Sequence, residues 1–171
     1  MPQAILVVDM LNDFVRPDGA LFVPNAPEII PNIQRELQNA RQAGQTVIYV
    51  CDAHDPDDIE FQRYPVHALE GDIGAEVIAE LAPQPGETVL KKKRLNAFFN
   101  TELDAVMRKA APEKVTVVGV VTHICVMEAV AGLCDRDIQA RVPRDCVADF
   151  DEELEASAFK RMATVFGAEI V

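Results

Sequence analysis

The chain has 171 residues, 49% of them hydrophobic and 26% charged, which suffices for a full-sized core without disulfides or a structural metal. A formal net charge of −12 disfavours binding to a nucleic-acid backbone or an anionic membrane surface. No secretory leader or transmembrane-length apolar stretch is recognisable, and the four cysteines lack CxxC spacing, so reduced thiols in a cytoplasmic protein are expected.

Residues 4–8 are a short apolar run, the pattern of a strand buried on both faces. A loop rich in Pro, Asn, Asp and Gly follows to about Asn25, and residues 27–43 read as a helix stopped by Gly44. A second strand is expected over 46–50, followed by a polar stretch, 52–72, too irregular for a regular element. The pattern then predicts a short helix at 74–82, a strand at 87–90, a helix at 101–110 and a strand at 114–118. A helix at 122–134, a strand at 138–142, a helix at 151–165 and a strand at 168–171 complete the chain. Strands alternating with helices imply an α/β fold, a three-layer sandwich with helices on both faces of a six-stranded, mainly parallel sheet. The Rossmann-like strand order 3-2-1-4-5-6 is expected. No repeat, low-complexity segment or linker divides the chain, so residues 1–171 read as one domain.

Open α/β sheets carry their sites at the carboxyl ends of the strands. Here those ends deliver Asp9, then Asp52 with His54, then Lys91-Lys92-Lys93, and finally Gly119 leading to Cys125. Asp9, after an apolar run, is either a turn carboxylate or an acid whose pKa a partly apolar pocket raises towards proton transfer. With Thr122 as an N-cap, Cys125 falls in the first helical turn, where the dipole favours a thiolate and free N–H groups can form an oxyanion hole. A small buried hydrophobe is the other reading of a free cysteine, and it suits Cys51 and Cys134 better. The basic run is either a solvated turn or a strand end partly buried by the following Phe98-Phe99. Asp52, His54 and His67 either form a facial metal-ligand set suited to zinc or are polar loop residues with local hydrogen bonds. His123, two residues before Cys125, diverges from it on a helix and makes a poor general base.

Three segments together resemble the isochorismatase-like cysteine hydrolase superfamily, and nicotinamidases within it: Asp9-Met-Leu-Asn12-Asp13-Phe14, Lys92-Lys-Arg-Leu-Asn-Ala97-Phe98 and Gly119-Val-Val-Thr-His-Ile-Cys125-Val. The resemblance implies Asp9, Lys92 and Cys125 as catalytic residues, and a cis peptide at Val120–Val121 with the N–H groups of Val121 and Cys125 as the oxyanion hole. It also implies Phe14 and Tyr64 as aromatic walls for the substrate, and Asp52, His54 and His67 as ligands of a divalent metal, zinc first. Departures are Asp58, where many nicotinamidases have a further His, with Glu60 after it; Tyr64 in place of Trp; and His123 in place of Asp. The activity implied is hydrolysis of a small amide, nicotinamide to nicotinate and ammonia in first place, through a thioester on Cys125. The alternatives are another small amide or N-carbamoyl compound, or a non-catalytic binding protein that keeps the fold, although intact Asp9, Lys92 and Cys125 argue against the last. Isochorismate hydrolysis is disfavoured because that branch lacks the cysteine. A flavodoxin-like carrier is disfavoured because no phosphate loop follows the first strand. The expected partner is a small-molecule amide, and the resemblance implies a homo-oligomer.

Overall fold

Runs of Val, Ile and Leu make central strands when both sheet faces are covered, and β1 (Gln3–Val8) is buried from its second residue on. The computed structural model describes residues 3–171. After β1 come α1 (Asn12–Val15), α2 (Ala26–Gln42), β2 (Thr46–Asp52), β3 (Thr88–Lys92) and α3 (Leu103–Ala110). There follow β4 (Lys114–Val120), α4 (Met127–Cys134), β5 (Gln139–Val142), β6 (Val147–Ala148), α5 (Glu152–Thr164) and β7 (Glu169–Ile170).

The sheet runs β3-β2-β1-β4-β5-β7, and β6 pairs with β4 beyond the end of β5. Among the described residues, every pairing between these strands is parallel. This is the expected order with β7 as the sixth strand; β6 is an addition whose two residues are too few to show a pattern. Successive β1 side chains feed opposite cores, as a pleated strand requires. Ala4, Leu6 and Val8 join the cluster under α3, α4 and α5, whereas Ile5 and Val7 join the cluster under α1 and α2. In α2, Ile29, Ile33 and Leu37 recur at helical spacing and supply the inward stripe.

The helix expected at 74–82 is replaced by two single turns, Ile73–Ala75 and Ala79–Leu81. The backbone there is engaged elsewhere. The Asn12 amide donates to Ile73 O (2.8 Å), Asn12 N to Glu76 O (3.0 Å) and Ile78 N to Met10 O (3.0 Å). These bonds lash the segment to the turn after β1, so it cannot close a helical ladder.

Candidate active site

The site begins where β1 ends. Asp9 has φ +50, and this left-handed turn is held by its N–H donating to Val50 O at 3.0 Å. Its Oδ1 accepts from Asp52 N (2.8 Å), and its Oδ2 lies 3.0 Å from Lys92 Nζ. Lys92 ends β3 in register with Asp52. It is 1% exposed, and its Nζ also donates to Asp52 Oδ1 and, at 3.4 Å, to Cys125 Sγ. Strand alternation explains why one lysine of the run enters and its neighbours do not. Lys91 pairs outside with Glu70 and Lys93 with Asp55, while Arg94 reaches from the surface to the buried Asp58 carboxylate. Of the two phenylalanines that follow, only Phe98 is buried; Phe99 is 55% exposed.

On the neighbouring strand, Gly119 (φ +117) sits so close to β1 that a Cβ would fall 2.0 Å from Val8 O. The Val120–Val121 peptide is cis, as the resemblance implies. Residues Thr122–Val126 form one wide turn, closed by Val126 N donating to Val121 O at 3.2 Å. This corrects the expected N-cap. Val121 occupies the cap position, and the Thr122 hydroxyl donates instead to Glu155 Oε1 (2.8 Å). His123 turns to Asp149, with its Nδ1 and its backbone N at 2.6 and 2.9 Å from the same carboxylate oxygen.

Burial and the Asp52 charge raise the Asp9 carboxyl to about 6, against the opposing pull of Lys92. Burial also acts upward on Asp52, but the attraction of Lys92 and the contact with His54 outweigh it, so its pKa is lowered. Burial pushes Lys92 down, and its two carboxylates more than reverse that, so it stays an ammonium. The Cys125 thiol lies well above its ordinary value because burial and the two acids exceed the help from Lys92. A resting thiolate, expected from a helix N-terminus, is therefore not what this setting favours; the thiol needs a base, and Asp9 is the acid beside it.

These groups open into a cavity of about 380 Å³. Phe14, Phe22, Tyr64 and Phe150 contribute aromatic wall, and Val121 and Cys125 line it as well. Its acids are Asp9, Asp52 and Glu60, and neither Lys nor Arg lines it. Phe22, Glu60 and Phe150 were not foreseen from the sequence. The one hint for Glu60 is an acid set between Ile59 and Phe61.

Asp52, His54, Glu60 and His67 are all buried, and each offers one donor atom within 4.8 Å of the others. His54 Nε2 stands 3.7 Å from Asp52 Oδ2 and 4.0 Å from Glu60 Oε1, and His67 Nε2 stands 3.8 Å from Asp52 Oδ2. Ligand atoms around one ion at bonds of about 2.1 Å stand roughly 3.0–3.4 Å apart, so a slight contraction would suit an ion. His54 Nε2 and Glu60 Oε2 are buried with no hydrogen-bond partner among the described residues. Unsatisfied donors converging on one point fit a divalent cation. The structure thus brings Asp9, Lys92 and Cys125 into one cluster, sets Asp52, His54 and His67 against it, and places Phe14 and Tyr64 on the shared cavity.

A doubly wound sheet with its polar cluster at the strand ends is the layout of an α/β enzyme acting on a small molecule. The isochorismatase domain matches residues 3–170, and the chain belongs to this family of hydrolases. It is 28% identical to an isochorismatase family protein of Bacillus subtilis, over 99% of both chains. Among solved structures, N-carbamoylsarcosine amidase of Thermoplasma acidophilum superposes with a TM-score of 0.91 at 33% identity, covering 99% of this chain and 95% of that one. A pyrazinamidase of Pyrococcus horikoshii in complex with zinc superposes with a TM-score of 0.94 at 26% identity, covering 100% and 99%.

Proposed function

We propose that the chain hydrolyses a small, uncharged amide through a thioester on Cys125, with nicotinamide as the first candidate. The observation that carries this is Lys92 Nζ, buried in reach of Asp9, Asp52 and Cys125, the three residues that present the cluster to an apolar cavity. An amide bearing a carboxylate would meet three acids against the single Lys92 ammonium, which already pairs with two of them, whereas a flat neutral ring would find aromatic wall in Phe14 and Tyr64.

In the proposed reaction Asp9 takes the Cys125 proton while Lys92 holds Asp9 and the forming thiolate. The sulfur attacks the amide carbon, and the N–H groups of Val121 and Cys125 stabilise the oxyanion, an effect of about 3 kcal/mol per donor. Asp9 returns its proton to the departing nitrogen, so the C–N bond breaks and ammonia leaves. Water then cleaves the thioester, giving the carboxylic acid and restoring the thiol. Asp52, His54, Glu60 and His67 would hold a divalent ion, zinc first, which the zinc complex of the pyrazinamidase supports. When bound, such an ion supplies a coordination point for a substrate ring nitrogen. The same reading takes residues 1–171 as one domain, working in the cytoplasm as a homo-oligomer.

A second reading, an uncharged N-carbamoyl compound, draws on the likeness to N-carbamoylsarcosine amidase and uses the same steps. Ammonia release from nicotinamide, pyrazinamide and carbamoyl amines separates the two. Acid-quenched turnover should leave the acyl group of the best substrate on the peptide carrying Cys125, and Cys125→Ala should abolish turnover. Full activity in that variant removes the thioester.

A further inference from the structure

Asp58 is a buried acid that neither the proton-transfer cluster nor the metal-donor set uses. Its Oδ2 lies 3.0 Å from His54 Nδ1, its Oδ1 accepts from Glu60 N at 2.9 Å, and Arg94 Nη1 donates to both oxygens at 3.0 Å. One carboxylate thus grips two members of the donor set and ties them to Arg94, two residues beyond Lys92. An ionised carboxylate only accepts, so the proton between it and His54 sits on Nδ1. With Nδ1 engaged by Asp58, the ring atom left for an ion is Nε2, which is buried, unpartnered and faces Asp52 and Glu60.

We propose that Asp58 is the positioning residue of the metal site. It fixes the ring and tautomer of His54 so that Nε2 is free to bind a divalent cation, and it anchors the backbone that carries Glu60. This rests on the metal reading given above. Outer carboxylates of this kind contribute about 10–100-fold in metal affinity.

A purely structural role is available, because Asp58 also caps the short turn Ile59–Gln62 through Glu60 N. Asp58→Asn separates the two. Asparagine caps about as well as aspartate. With its single acceptor oxygen on Glu60 N, however, its NH₂ group faces His54 Nδ1 and reverses the donor direction. The ring must then place its proton on Nε2, where it blocks an ion.

The test is zinc titration of the purified full chain against a chromogenic chelator, for wild type, D58N and D58A, with the melting temperature of each apo protein. Wild type should bind one zinc. D58N should melt close to wild type and bind zinc about 10–100-fold more weakly. In zinc-loaded wild type, ¹⁵N-resolved proton NMR should show a slowly exchanging Nδ1–H on His54, one of three histidines, and D58N should lose it. If wild type binds zinc and D58N matches it in affinity and in that resonance, the role of Asp58 is overturned and the metal reading stands. If wild type binds no zinc, both fall. Should D58A fail to fold, D58N alone decides.

Discussion

One ammonium serves two carboxylates and a thiol, and this balance governs the site. With Lys92 positive and Asp9 and Asp52 ionised, a thiolate at Cys125 would add a second uncompensated negative charge in a buried space. In the proposed reaction the Cys125 proton passes to Asp9, so the buried cluster gains no net charge, and Asp9, raised to about 6, is suited to hold it until the substrate nitrogen leaves. The same shift has a stability signature. The native pKa of Asp9 exceeds its ordinary 3.8, so the folded state binds this proton more tightly than the unfolded state does. The stabilisation is complete below pH 3.8 and is lost as pH rises through about 6. At 1.36 kcal/mol per unit it amounts to about 3 kcal/mol. Asp9→Asn cannot ionise and should escape the loss, so its urea midpoint should gain on that of wild type between pH 4 and pH 7. A gap that stays constant over that range would mean that Asp9 titrates normally. In wild type the same ionisation should make kcat/KM climb through about pH 6.

At the scale of elements, parallel strands are apolar runs in sequence, and those of β1, β2 and β3 end in a polar residue that marks the site. That made β1 to β5 legible along with the sheet order, and with them Asp9, Asp52, the run Lys91-Lys92-Lys93 and Gly119, whereas only the resemblance singled out Lys92 within its run. Pairings between distant segments were not legible. The stretch 74–82 has a helical pattern, yet its backbone is taken by residues 10–12, which lie 60 or more positions away. Glu60 and Phe150 reach the cavity through loops, and strand periodicity does not report on loops. Gly119 was visible as a strand end, but its necessity lies in contact with β1. Its φ of +117 and a Cβ position 2.0 Å from Val8 O make alanine strained and sterically barred. Gly44 has φ +67 and open space around its Cβ position, so alanine there meets only the backbone cost of about 1–2 kcal/mol. Gly119→Ala should therefore cost clearly more than Gly44→Ala in urea unfolding, about 3 kcal/mol or more, and should also depress turnover by displacing the strand that leads to Cys125. Equal losses would show that the β1–β4 approach is softer than the geometry indicates.

On the proposed reading, the whole molecule would select its substrate by charge at two ranges. At long range, a net charge of −12 repels anions before they reach the cavity. At contact, Asp9, Asp52 and Glu60 line the cavity with no cationic side chain, and the two carboxylates of the donor set offset a bound divalent ion. Salt separates these effects. Between about 0.01 and 1 M the screening length falls from about 30 Å to about 3 Å, which removes long-range repulsion and leaves contact terms largely intact. For nicotinamide, which is neutral, kcat/KM should change by less than about twofold over that range, because there is nothing to screen. For a small amide bearing a carboxylate it should begin at least about tenfold lower, rise with salt, and still fall short of the neutral amide at the highest salt. The shortfall that survives screening measures the missing counter-charge in the cavity. An anionic amide cleaved as well as nicotinamide at low salt would mean that positive charge beyond that of a bound ion reaches the substrate, and the preference for uncharged amides would then have no basis in the cavity wall.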